Sequence, residues 1–316
     1  MQNHDVQPMK ITVVGTGGVG GYFGGRLALA SHHVTFVARG KHLEAINSQG
    51  LKVKSIEEDF HIEGANATDA LESIPEQDII LFATKTWQLA ESAQQLKQAV
   101  GKNTLLIPLL NGVDAPEQLQ DIYGLENVLG GLCKIISFID EPGVIKHTGA
   151  VPYIEFGELQ DVKQERCQKL STMFTDAGIK NKVSSDITVN MWEKFLFISA
   201  MSALGAITES PIGAIRTNAV TRKALSGVML EIQQLSMAMD IAMHDDIVSK
   251  TLHFVDQLPE HSTSSMQRDI AAGKLSEIDA QLGTVVKLGK AYGVSTPVAD
   301  FIYTSLTMRI SASANQ

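Results

Sequence analysis

One stretch near the start limits the folds open to this chain: MKITVVGTGGVGGYFGG, beginning at Met9 and ending at Gly25. The β-branched run Ile11, Thr12, Val13 and Val14 reads as a buried strand. Gly15, Gly17 and Gly20 follow as G-x-G-x-x-G, and then comes an apolar helical pattern with Gly24, Leu27 and Leu29. Strand, glycine spacing and helix in that order predict a βαβ dinucleotide-binding unit. Gly15 would permit the tight turn, Gly17 the close approach of a pyrophosphate, and Gly20 the packing of helix on strand. Thr16, Gly18 and Val19 complete the turn, where the helix N-terminus offers free N–H groups and partial positive charge to phosphates. A glycine-rich turn of another α/β protein has the same spacing, so the flanking strand and helix carry the assignment.

The remaining composition narrows the class. A chain of 316 residues can hold two cores, and 44% hydrophobic with 19% charged residues describes an ordered globular protein. The net charge of −9 argues against a nucleic-acid surface. Two cysteines, Cys133 and Cys167, suggest no disulfide framework and fit a cytoplasmic location. The nine histidines fall in no HExxH or CxxC-like spacing, so no metal site is expected. No apolar run is long enough to span a bilayer, and the polar residues 1–8 read as a frayed extension rather than a leader.

Strand and helix patterns alternate through the first half. The second strand, 33–38, ends in Ala38-Arg39-Gly40-Lys41, where an NAD-preferring site usually places a carboxylate for the ribose hydroxyls. A guanidinium there can instead pair with a 2′-phosphate, so Arg39 favours NADPH; a solvated loop cation is the alternative. A helix at 41–48 and a small hairpin at 51–63 follow. The strand at 77–83 ends in Thr84-Lys85-Thr86-Trp87-Gln88, at the strand end that faces a cofactor crevice. Lys85 is thus a candidate phosphate ligand, with Trp87 and Gln88 opening the next helix. A surface lysine and a core tryptophan explain the same residues. The strand at 104–110 ends in Asn111-Gly112, where the carboxamide can donate and accept beside a nicotinamide, although Asn-Gly is also an ordinary turn. Residues 128–157 read as strands at the far edge of this sheet, 161–177 as an amphipathic helix and 181–183 as a last strand.

Domains are expected at 9–185 and 186–316, the second all-helical, with segments near 188–206, 220–243, 265–271 and 277–292. Lys194 lies among Trp192, Phe195 and Leu196, a setting in which a lysine can protonate a developing alkoxide. A lysine snorkelling from an amphipathic helix has the same pattern. The hydroxyls at 262–265 precede a helix that they can cap, or they can bind a carboxylate; Ser276 reads as the N-cap of a helix starting at Glu277.

Taken together, VVGTGGVGGYFGGRLA, VTFVARG, TKTWQ, LLNGV, WEKF, TSSMQRDI, GKLSEID and YGVSTP, in this order, resemble the ketopantoate reductase (2-dehydropantoate 2-reductase) family, from Met9 to about Ser305. The resemblance implies an N-terminal Rossmann-type doubly wound sheet, a C-terminal helical domain and an active site between them. It implies hydride transfer from NADPH to the keto carbon of a small 2-oxo acid, a step of pantothenate and coenzyme A biosynthesis. By the same resemblance Lys194 is the general acid, Glu277 orients the lysine and the substrate, Asn111 lies near nicotinamide and substrate, and Ser265 holds the substrate carboxylate. The glycine turn, Arg39 and Lys85 match phosphate-binding positions.

Some positions depart from the family pattern. Asparagines frequent in the family are replaced by Ile198, Ser202, Ile212 and Leu282. Ser202 is shorter but polar and by the resemblance is a substrate-binding candidate, whereas the other three are apolar. A pocket built for polar groups loses roughly 1–3 kcal/mol for each left unpaired, so a less polar 2-oxo acid is an alternative to ketopantoate. An NADPH-binding sensor without turnover is a third reading. The helical half can also pair with a second copy, leaving a homodimer open.

Overall fold

Four β-branched side chains in a row, Ile11 to Val14, favour a buried strand, and this run becomes the centre of a parallel sheet. A computed structural model of the chain describes residues 7–160 and 164–314; most of the expected extension at 1–8 lies outside them. Contacts divide the chain into two compact units, one reaching Leu110 and resuming over Asp114–Ile187, the other comprising Asn111–Val113 and the residues from Thr188 on.

In the first unit, β1 (Lys10–Val14), α1 (Gly18–Leu29), β2 (His33–Val37), α2 (Gly40–Gln49), β3 (Leu51–Ser55), β4 (Phe60–Ile62), β5 (Asn66–Thr68) and β6 (Gln77–Phe82) follow in order. Then come α3 (Leu89–Gln95), β7 (Val100–Pro108), α4 (Ala115–Tyr123), β8 (Gly130–Glu141), β9 (Val144–Gly157), α5 (Gln164–Asp176) and β10 (Lys180–Val183). The first sheet runs β5-β2-β1-β6-β7, all parallel, with Val13 opposite Phe36 on one side and Leu81 on the other. Ile11, Val13 and Val14 are fully buried.

The expected far edge of this sheet is a second sheet instead. Next to β7 the chain makes one isolated bridge, Leu106 to Val128, and then leaves. β9 uses both of its edges elsewhere: β8 lies antiparallel along one, while β3 and β10 run parallel to its two ends on the other. The 51–63 hairpin therefore belongs to this second sheet, with β4 antiparallel to β3.

α1 is packed between the two sheets, and its glycines divide between them. A Cβ on Gly20 or Gly24 would meet Val13 of β1, whereas one on Gly18, Gly21 or Gly25 would meet the Ser137 carbonyl, Ile145 or Phe60 of the second sheet. The sequence GTGGVGGYFGG thus carries two glycine faces, because a helix touching backbone or large side chains on both sides has no room for Cβ atoms.

The second unit holds α6 (Ile187–Thr208), α7 (Ile212–Thr217), α8 (Ala219–Ala238), α9 (Ile247–Gln257), α10 (Ser265–Ala271), α11 (Thr284–Tyr292) and α12 (Pro297–Ala314). Trp192, Phe195, Leu204, Ile232, Leu282 and Leu306 share its core. The buried Glu231 carboxylate accepts the Val298 and Ala299 N–H groups at 2.7 and 2.9 Å and so caps α12. Burial raises its pKa despite those two donors. The helix expected over 277–292 forms from 278 to 292, but its Asp279–Gly283 stretch is π-helical, and no side-chain cap hydrogen bond is made at its start. The Tyr303 hydroxyl of α12 donates to Asp279 at 2.7 Å beside this widened turn; that bond, with burial, pushes the phenol pKa to about 12.

Candidate active site

The cofactor half begins where β1 ends. Gly15 takes φ +96°, a left-handed conformation, and a side chain there would collide with the Ala83 carbonyl. Thr16 is buried, and its N–H and hydroxyl both donate to the Val37 carbonyl, at 3.0 and 2.9 Å. Gly17 stands at the N-cap of α1, and nothing lies within 4 Å of the place its Cβ would take. That open side, with the first N–H groups of α1 including those of Gly18, Val19 and Gly20, fits a pyrophosphate on the backbone.

Arg39 is exposed at the N-cap of α2 and forms no ion pair among the described residues. Lys85 is half-buried after β6, its Nζ 5.8 Å from the Trp87 ring centre. Trp87 is 44% exposed, which corrects its reading as a core residue. Trp87 and Gln88 lie in a 3-10 turn, Thr86–Gln88, ahead of α3, rather than at the start of the α-helix. Two groups escaped the sequence. Thr84 and Ser137 have buried hydroxyls without partners among the described residues, Thr84 beside Gly15 and Ser137 beside Gly18. Ser137 comes from the second sheet, so no spacing in the sequence ties it to the glycine turn.

The other group of candidates lies in the second unit. Asn111 belongs to it although β7 leads into it: Gly112 takes φ +98°, and Val113 packs on the helical core. Asn111 Nδ2 donates to Glu277 Oε2 at 3.1 Å, joining residues 166 apart in sequence. Glu277 is buried. Its carbonyl accepts the Gln281 N–H at 3.0 Å, which anchors it to the π-helical turn. Lys194 is half-buried on α6 between Trp192 and Phe195, with no hydrogen bond or ion pair among the described residues, so Glu277 does not hold it directly. At α10 the capping role falls to Ser264, whose Oγ accepts the Gln267 N–H at 3.1 Å. Ser265, one position on, is half-buried and its hydroxyl is left out of the cap.

Ser202 is fully buried on α6 and its hydroxyl has no partner among the described residues; Ser199 and both polar atoms of Gln281 share that state. Among the departures, Ile212 and Leu282 are core residues and Ile198 is half-buried. An orphaned carboxamide in a packed interior is unfavourable by roughly 1–3 kcal/mol. Gln281→Leu, close in volume, is therefore expected to raise unfolding stability by about that amount in a urea titration. A loss of stability instead would show that the amide has a hydrogen-bond partner.

Among the described residues no helix is long and apolar enough to cross a membrane, and no group of three metal-ligating side chains forms. Residues 11–161 match the family described as Ketopantoate reductase PanE/ApbA, and residues 186–309 match Ketopantoate reductase PanE/ApbA C terminal. An uncharacterized oxidoreductase YkpB of Bacillus subtilis is 30% identical over 95% of this chain and 98% of its own length. The crystal structure of a 2-dehydropantoate 2-reductase from Geobacter metallireducens, 30% identical, superposes with a TM-score of 0.88 over 95% of this chain and 99% of that one. A D-mandelate dehydrogenase solved with NADH and anilino(oxo)acetate, 22% identical, shares the fold with a TM-score of 0.88 over 96% and 99% of the two chains. The chain accordingly belongs to the ketopantoate reductase family and is an oxidoreductase of that type.

Proposed function

We propose that this chain reduces ketopantoate to pantoate with NADPH, the step that feeds pantothenate synthesis. The observation that carries the reading is Lys194: a half-buried lysine on a core helix with no ion pair among the described residues. A buried or half-buried charge without a partner is unfavourable unless a ligand supplies one. The nicotinamide cofactor, when bound, supplies a hydride to C2 of the acid. The phosphate turn at Gly15, Gly17 and Gly20 binds the pyrophosphate, Lys85 and Gln88 support that end, and Arg39 pairs with the 2′-phosphate. Lys194 Nζ delivers a proton to the carbonyl oxygen as it gains charge, so a ketone becomes a secondary alcohol. Ser265 Oγ–H donates to the substrate carboxylate, and Ser202, whose buried hydroxyl has no partner among the described residues, is a second candidate to bind the acid. Glu277 holds Asn111, whose remaining N–H and carbonyl are left for nicotinamide and acid.

Ile198, apolar and half-buried on α6, favours a second reading, a less polar 2-oxo acid, whereas Ile212 and Leu282 are taken up by the helical core. One experiment addresses both: NADPH absorbance decay with a panel running from ketopantoate to branched and aromatic 2-oxo acids. Highest kcat/KM with ketopantoate supports the first reading, and a preference for an apolar acid supports the second. Cofactor binding with no turnover of any acid contradicts both.

Arg39→Ala is expected to lower NADPH affinity roughly 10- to 100-fold, the scale of a charge-assisted hydrogen-bonded pair, and to leave NADH affinity nearly unchanged. Equal loss for the two nucleotides, by fluorescence titration, would remove Arg39 from the 2′-phosphate.

A further inference from the structure

His42 lies in the first turn of α2 and was absent from every motif read in the sequence. Its ring joins two separate pieces of the first unit. Nε2 is 2.8 Å from the Thr16 carbonyl in the glycine turn, and Nδ1 is 2.9 Å from the Gly143 nitrogen in the turn between β8 and β9. A backbone N–H only donates and a carbonyl only accepts, so the partners fix the tautomer: Nδ1 accepts from Gly143 and Nε2–H donates to Thr16. Burial lowers the imidazole pKa and favours this neutral form. Gly143 is itself anchored, since its carbonyl accepts the Lys52 N–H of β3 at 2.9 Å.

With this bond every polar group of Thr16 is committed: N–H and hydroxyl to Val37, carbonyl to His42. The consequence passes to Gly17 through covalent geometry. The Thr16 carbonyl and the Gly17 N–H belong to one planar trans peptide and point in opposite directions. No cis peptide occurs among the described residues. Holding the carbonyl on His42 therefore directs the Gly17 N–H the opposite way, and Gly17 is the glycine of this turn whose Cβ position is open, while Gly15, Gly18 and Gly20 are crowded.

We propose that His42 is a positioning residue for dinucleotide binding, whose neutral Nε2–H tautomer sets the direction of the Gly17 N–H. The inference rests on the reading of the glycine turn as the pyrophosphate site. It also gives the second sheet a part in cofactor binding, since the β8–β9 turn holds the ring from behind.

The test uses the full chain and two substitutions. Asparagine at 42 keeps an acceptor near Gly143 but does not reach Thr16; glutamine places an amide N–H near the position of Nε2. His42→Asn is expected to raise the Kd for NADPH and NADH about ten-fold, one directed hydrogen bond's worth, with kcat at saturating cofactor unchanged. His42→Gln is expected to restore most of the affinity. In the ligand-free protein, ¹⁵N shifts of the His42 ring should place the proton on Nε2. A proton on Nδ1, unchanged Kd in His42→Asn, or equal losses in the two variants would overturn the proposal. Wild-type protein that binds neither nucleotide would overturn the pyrophosphate reading itself, a result distinct from unaltered binding in His42→Asn.

Discussion

Lys194→Ala should lower kcat for 2-oxo acid reduction by roughly 10²–10⁴-fold, the usual contribution of a positioned general acid. Dinucleotide affinity should stay within about two-fold, because the glycine turn, Arg39 and Lys85 all lie outside the second unit. Stability should change little. The side chain has no hydrogen bond or ion pair to lose among the described residues, and its core neighbours Trp192 and Phe195 keep their own contacts. Steady-state kinetics, nucleotide titration and thermal unfolding on one preparation separate these effects. Parallel losses in kcat and in unfolding temperature would make the lysine structural.

The second large effect concerns adjacent glycines. Gly18→Ala should destabilise the first unit by at least about 3 kcal/mol, the upper end for overpacking. Its Cβ would lie 2.2 Å from the Ser137 carbonyl oxygen and 2.7 Å from the Phe138 nitrogen, both backbone atoms that no rotamer can move. Gly17→Ala should behave in the opposite way. Its φ of −82° suits any residue and its Cβ meets nothing, so stability should hold. Nucleotide affinity should nonetheless fall, because a methyl group then occupies the approach to the pyrophosphate. Urea unfolding and nucleotide titration of the two variants should thus dissociate: one loses fold, the other ligand. If Gly18→Ala unfolds like wild type, α1 does not lie against β8 as described.

These contrasts also mark what the sequence reveals. The glycine turn, the strand at β1 and the helix α1 were legible because their signal is local: periodicity and fixed spacing. Gly20 was read correctly as the contact with β1, but Gly18, Gly21 and Gly25 answer to a second sheet that sequence periodicity does not reveal. That sheet was mistaken for an edge of the first because strands of both sheets look alike in sequence, and pairing partners are set by distant segments. The π-helical turn after Glu277 was read as ordinary helix, since one extra residue per turn leaves the apolar pattern intact. Lys194, Asn111 and the hydroxyls at 262–265 stand out from their local settings, while the role of Glu277 and the choice of Ser265 come from the family resemblance. The hydrogen bond from Asn111 to Glu277 joins segments 166 residues apart and leaves no trace in sequence, and among the hydroxyls at 262–265 local pattern does not single out Ser264 as the cap. His42 carried no signal at all, because its partners Thr16 and Gly143 are 26 residues before it and 101 after it.

The most direct test of the central claim follows a labelled hydride. With NADPH deuterated at C4 of the nicotinamide, the product formed from ketopantoate should carry one deuterium at C2, and Lys194→Ala should form that same product far more slowly. Cofactor oxidation without deuterium in the acid, or no product from any 2-oxo acid while NADPH binds, would contradict the assignment of this chain as a 2-oxo acid reductase.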